Sequence, residues 1–159
     1  MDKAALRQAI LDSLQKEMET QTRAALTSHE EATHEESKPE NKYDMHAQEA
    51  AYLAEGQARL VAELNEAIAL YYALPSEPWP IGKPAAVGAV VTIEMKEGNR
   101  HYFLGPRNGG LEVSQGDISV TVITPSSPLG RQLLGAKVGQ IVQVASKAKV
   151  SLHPVVAIN

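Results

Sequence analysis

Apolar residues recur at four-residue steps near the start of the chain: Leu6, Ile10, Leu14 and Met18, with Ala25 continuing the stripe and Leu11 beside it. That spacing lines one face of a helix and predicts one from about Lys3 to at least Leu26. A second stripe follows at Ala50, Leu53, Gln57, Leu60, Leu64, Ala67 and Tyr71, widened by Val61 and Ile68. Its alternation of three- and four-residue steps is a heptad seam. Ser37-Lys38-Pro39-Glu40 is a start signal for this second helix: Ser37 at the N-cap with Glu40 three residues on forms a capping box, and proline is tolerated in a first turn. Pro75 ends it. About 33 residues at 1.5 Å each would make a rod of roughly 50 Å. An antiparallel pair buries both stripes most simply, and predicts a coiled-coil hairpin over residues 1–74.

From Leu74 to Pro84 the chain reads LPSEPWPIGKP. Its prolines cannot continue a helix, so 75–84 is a stiff, extended linker, with Trp79 packing on a neighbouring unit. Beyond it the period shortens to that of strands: Val87–Met95, Arg100–Leu104, a short Leu111–Val113, Ile118–Ile123, Gln140–Ala145 and Lys149–Ile158, with turns at Glu97-Gly98-Asn99 and Asn108-Gly109-Gly110. Ser127–Leu134 interrupts them as a short helix with Ser127 as N-cap, Pro128 at its first position and Gly135 at its end. Leu133 and Leu134 are assigned to the core, and Tyr102 and Phe103 to opposite faces of an alternating strand, one buried and one exposed. Residues 85–159 thus form a small α+β domain, and the whole chain is α+β.

Aromatic residues make up only 4% of the 159-residue chain, with one Trp and one Phe, so the core is aliphatic. Cysteine is absent, which excludes disulfides, thiolate metal sites and a cysteine nucleophile. The start, MDKAALRQAIL, is not a signal peptide, and no stretch approaches the roughly 20 apolar residues of a membrane span. A soluble, cytoplasmic protein is expected. The net charge of −4 divides unevenly: residues 1–80 carry 15 acids and 7 bases (−8), residues 81–159 carry 4 acids and 8 bases (+4). Two units with different partners are implied, and the scattered basic excess supports only weak direct contact with nucleic acid.

The densest charge lies between the two helices. His29–Asp44 (HEEATHEESKPENKYD) holds Glu30, Glu31, Glu35, Glu36, Glu40 and Asp44 against Lys38 and Lys42. Glu40 has two readings, the capping-box partner of Ser37 and a carboxylate free to meet a metal. The other acids read as a solvated run, Glu36 excepted, and Asp44 favours the positive end of a helix. His29 and His34 are five apart, whereas the metalloprotease pattern needs a four-residue step. His46, His101 and His153 have no neighbours in sequence that would make a catalytic set.

Two of these stretches resemble the Gre family of bacterial transcript-cleavage factors. Glu40-Asn41 opens the second helix, with Glu49, Glu55 and Gly56 following at the family's spacing. Ser127-Pro128-Leu129-Gly130-Arg131-Gln132-Leu133-Leu134-Gly135, with Gln140–Val144 after it, is similar to the family's C-terminal signature. The order of coiled coil, linker and β domain also matches over nearly the whole chain. The resemblance implies an FKBP-like fold for residues 85–159 and an accessory factor rather than an enzyme. Such a monomeric factor docks on RNA polymerase and passes its coiled coil through the secondary channel. Its tip carboxylates, here Glu40 and Glu36, help the polymerase cleave backtracked RNA. No cofactor of its own is implied: the Mg²⁺ is held by the polymerase, Glu40 sharing it only within the complex, and the nascent RNA is met only indirectly. Arg131, Arg107 and Lys137 are the candidate polymerase-docking residues, against the plainer reading of a capped and packed small domain.

The family's aspartate three residues before the Glu-Asn pair is Ser37 here, and Lys38 and Pro39 replace the usual pair. This opens an alternative: a Gre-like channel-binding regulator that does not promote cleavage. A peptidyl-prolyl isomerase would need an aromatic-lined pocket, which one Phe and one Trp hardly supply. A coiled-coil adaptor would self-associate as a rod.

Overall fold

The computed structural model describes residues 1–33, 46–146 and 149–159. The chain forms two compact units, Asp12–Ala69 and the combination of Met1–Leu11 with Leu70–Asn159. Helices α1 (Lys3–Thr33) and α2 (His46–Tyr72) each contribute to both. The start signal at Ser37–Glu40 lies outside the described residues.

In the Asp12–Ala69 unit, Leu14, Leu64, Ala67 and Ile68 are buried. The buried Ser28 hydroxyl donates to Gln57 Oε1 at 2.9 Å, so α1 and α2 meet at these two positions. Leu53 and Leu60, assigned to the seam by their spacing, are instead exposed. At that level Ala51, Ala54, Ala58 and Val61 of α2 line a groove with Thr22, Ala25, Leu26 and His29 of α1. A heptad stripe fixes which residues share a helix face, but the partner decides which face is covered.

The second unit is built on a sheet of β1 (Val90–Met95), β2 (Gly98–Leu104), β3 (Glu112–Gln115), β4 (Ile118–Ile123), β5 (Ile141–Ser146) and β6 (Lys149–Ile158), with α3 (Pro128–Leu133) between β4 and β5. The strand order is β3-β4-β2-β1-β6-β5. Only β2 and β4 run parallel; the other neighbours are antiparallel. Pro154 of β6 lies opposite Ile141 at a ladder position where its missing N–H is not needed.

One sheet face buries Val91, Ile93, Tyr102 and Leu104 with Val142, Val144, Val155 and Leu133. On the other, Phe103 stacks against Tyr71, the ring centroids 6.1 Å apart. Tyr102 and Phe103 are therefore both buried, because β2 is covered on both faces. Leu133 is in the core as expected, whereas Leu134, which follows the short α3, is exposed.

The segment before β1 is held by side chains from the start of α1. Asp2 Oδ1 accepts the N–H groups of Ala4 and Ala5 as an N-cap. Arg7 then donates to the carbonyl of Leu74, just past the end of α2. Trp79 is buried in the sheet core, with the ammonium groups of Lys3 and Lys83 at 4.8 and 4.7 Å from its ring.

Candidate functional site

The parallel pairing of β2 with β4 decides what stands at one end of the sheet. Leu104 faces Ile123 across this pair, so the two strands finish together and their following loops leave from the same edge. The first loop carries Arg107. The second leads into α3, which carries Arg131. Gly105 N–H donates to the Ile123 carbonyl at 2.9 Å and Gly110 N–H to that of Val122 at 2.8 Å, fastening the first loop to β4.

Thr124 joins the two loops. A Cβ at Gly109 would stand 3.3 Å from Thr124 Cγ2, while the Ser127 hydroxyl donates to the Thr124 carbonyl at 2.8 Å. Ser127 Oγ also accepts the Gly130 N–H at 3.0 Å, the N-cap that the Ser-Pro pair predicts. So closely does α3 approach that a Cβ at Gly130 would lie 1.9 Å from the Thr124 carbonyl oxygen. Glycine is required there by contact, not by backbone angle.

The guanidinium of Arg131 donates to the Ser126 carbonyl at 2.6 Å and remains exposed. Arg107 is exposed too, and its carbonyl accepts the Tyr71 hydroxyl at 2.8 Å. Lys137 is exposed in the turn between α3 and β5, where its N–H meets Gln140 Oε1 at 3.3 Å. Of the three docking candidates, Arg107 thus belongs to the loop after β2 and Arg131 to the helix after β4, both at one end of the sheet, and Lys137 to a separate turn.

Glu36 and Glu40 lie outside the described residues, as do Ser37, Asp44 and His34. His29 and Glu30 are exposed near the end of α1. Among the described residues no group of three or more His, Asp or Glu is placed to hold a metal ion.

His101 and His153 have structural partners. His153 is buried; its Nδ1 meets the Glu94 carbonyl at 3.0 Å, and since a carbonyl only accepts, that nitrogen carries the proton. Its Nε2 lies 2.7 Å from the Ser151 hydroxyl. His101 Nδ1 lies 3.0 Å from the buried Thr92 hydroxyl. Burial, and then the charge of the amino terminus, hold its pKa below the ordinary histidine value.

Two grooves escaped the sequence reading. One, of about 620 Å³, lies along the Asp12–Ala69 unit between Ala25, Leu26, Ala51, Ala54, Ala58 and Val61. Its signal was the run of alanines on α2. The other, of about 530 Å³, lies over β2 and β4 and is lined by Arg100, Tyr102, Glu112, Asp117, Ser119 and Thr121 among others. Alternation in β4, Ser119 and Thr121 against Val120 and Val122, marked the polar side of that strand which borders the groove.

These features define an α+β protein in which a two-helix unit accompanies a six-stranded mixed sheet with one short capped helix. No family model matches the sequence, and no curated protein matches it. Among solved structures the chain is similar to GreA factor homolog 1 (Gfh1) of Thermus thermophilus, at 20% identity over 94% of each chain with a TM-score of 0.39. It is also similar to a structure of the transcription factor Gfh1, at 16% identity over 94% of this chain and 93% of the other, TM-score 0.41. Gfh1 of Thermus aquaticus is similar at 17% identity over 92% of each chain, TM-score 0.39.

Proposed function

We propose that this chain is a Gre-like transcription factor that binds bacterial RNA polymerase as a monomer in the cytoplasm. The observation that carries the reading is the segment Ser127–Gly135. The residues on which the Gre resemblance rests form a capped helix that presents exposed Arg131 beside the loop of Arg107. Docking uses this end of the sheet, with Lys137 contributing from its own turn. Cationic rim contacts of this kind raise association rates and weaken with salt.

The helical hairpin then enters the secondary channel, with Glu40 and Glu36 at its tip. Mg²⁺ is a hard cation that takes oxygen ligands, often from one or two carboxylates, and stabilises the charged oxygens of phosphodiester hydrolysis. The ion would belong to the polymerase, with Glu40 sharing it within the complex and Glu36 assisting as a second tip carboxylate. Among the described residues no helix is long and apolar enough to cross a membrane.

A second reading is favoured by Ser37. A hydroxyl cannot supply the charge of an aspartate, so the chain would occupy the channel without promoting cleavage. RNA cleavage by a backtracked polymerase complex separates the two, run with the native chain, Glu40→Gln and Glu36→Gln. Acceleration that is lost in Glu40→Gln supports the cleavage reading. No acceleration, combined with competition against an authentic cleavage factor, supports the regulator. Neither effect would refute both.

A further inference from the structure

Strand β5 stands at the edge of the sheet, and an edge strand offers unpaired N–H and C=O groups to any other strand. Its register with β6 sets Ile141 opposite Pro154 and Gln143 opposite Leu152. With no N–H on Pro154, these are the non-hydrogen-bonded positions of the ladder, so the backbone groups of Ile141, Gln143 and Ala145 point away from β6.

Both outward groups of Gln143 are taken by one side chain. Gln132 of α3 donates from Nε2 to the Gln143 carbonyl at 3.0 Å and accepts the Gln143 N–H at Oε1 at 2.8 Å. A primary amide presents donor and acceptor side by side, as a peptide group does. Gln132 therefore stands where a residue of the next strand would stand. The surroundings of this blocked edge suit association: Ile141 is 54% exposed, and Val150 and Leu152 beside it on β6 are 67% and 65% exposed.

We propose that Gln132 is an autoinhibitory guard that prevents β5 from pairing with β5 of a second copy of this chain. A second copy is the fitting occupant because the strand is self-complementary. A twofold antiparallel pair centred on Gln143 sets Gln143 against itself and Ile141 against Ala145. Ile141–Ser146 (IVQVAS) holds no ionisable side chain, so no like charges oppose each other. The central hydrogen-bonded pair of such a dimer uses the two groups of Gln143 that Gln132 occupies.

The test is sedimentation velocity over a concentration series on the native chain, Gln132→Met (equal in length, unable to make either bond), Gln132→Ala, and Gln132→Met with Ile141→Lys. The native chain should sediment as a single copy. Folded Gln132→Met and Gln132→Ala should self-associate at least tenfold more tightly, and Ile141→Lys should reverse this. A folded Gln132→Met as monomeric as the native chain overturns the proposal, as does association that Ile141→Lys leaves intact. Should both single variants fail to fold, amide exchange in the native chain decides: the Gln143 N–H should exchange more slowly than the Ala145 N–H on the same edge, and equal rates overturn the proposal.

Discussion

The hydroxyl of Tyr71, in the last turn of α2, donates to the carbonyl of Arg107 at 2.8 Å, and the same ring stacks on Phe103. Tyr71 is fully buried, and burial pushes its phenol well above the ordinary range, so the neutral donor is the form present. One side chain thereby fixes both the packing of the last turn, from Leu70, on the sheet and the loop that carries Arg107. Gly105 accommodates it, since a Cβ there would meet the Tyr71 hydroxyl at 2.3 Å.

Tyr71→Phe keeps the ring and leaves the Arg107 carbonyl without this donor. Loss of about 1 kcal/mol is expected, the net worth of an ordinary hydrogen bond. Tyr71→Ala should cost about 3–5 kcal/mol, because a large buried ring is removed. Urea unfolding measures both. Equal losses in the two variants would mean that the hydrogen bond, not the ring, holds the Tyr71 turn to the sheet.

Two glycines should respond to alanine with opposite signs. Gly56 lies in exposed helix with nothing within 4 Å of an added Cβ, so Gly56→Ala should stabilise by about 0.8–1 kcal/mol, the difference in helix propensity. Gly130→Ala drives a methyl group into the backbone of Thr124 and should destabilise by about 1–3 kcal/mol or more. Thermal melting of the pair is the check, and a stabilised Gly130→Ala would contradict the packing of α3.

How much of this was legible follows from how local each cause is. The cap on α3 was readable because Ser127, Pro128 and Gly130 act within four residues of one another. Strands β4 and β6 coincide with their predicted spans because β-branched alternation needs no partner to be recognised. Burial of both Tyr102 and Phe103 was not readable, since it depends on Tyr71 arriving from a distant helix. Nor was the approach of the Arg107 loop to α3, which rests on β2 and β4 being parallel. Leu53 and Leu60 show the same limit, for their spacing was helical but they are exposed, and the groove between the helices is bordered by Ala54 and Val61.

Acid should weaken the fold partly through His101. Burial lowers its folded pKa, so the unfolded chain binds the proton more readily. Its contribution is present above the unfolded value of about 6.5 and is lost as pH falls through the lower folded value. His101→Gln should therefore show a shallower fall in unfolding free energy below about pH 6.5 than the native chain. Urea titrations from pH 7 to 5 give the comparison, and parallel curves would assign the acid sensitivity to other groups.

Lys3 poses a contest between attraction and desolvation. Its ammonium donates to the Glu77 carbonyl at 3.0 Å and stands 4.8 Å from the Trp79 ring centroid, a contact worth up to about 2 kcal/mol when desolvated. Yet burial lowers its pKa, and the nearby Lys83 and Arg7 charges act in the same direction against the opposing pull of Glu77. The site as a whole disfavours the charge. Lys3→Met, which keeps an unbranched apolar stem, should therefore change stability by less than about 1 kcal/mol, as replacements of buried ions by apolar isosteres often do. Lys3→Ala should cost more, because it removes the stem that packs beside Trp79. Trp79 is the only tryptophan, so its fluorescence reports both unfolding transitions directly. A Lys3→Met variant less stable than Lys3→Ala would show that the charge on the indole face, not the packing of the stem, holds the start of α1.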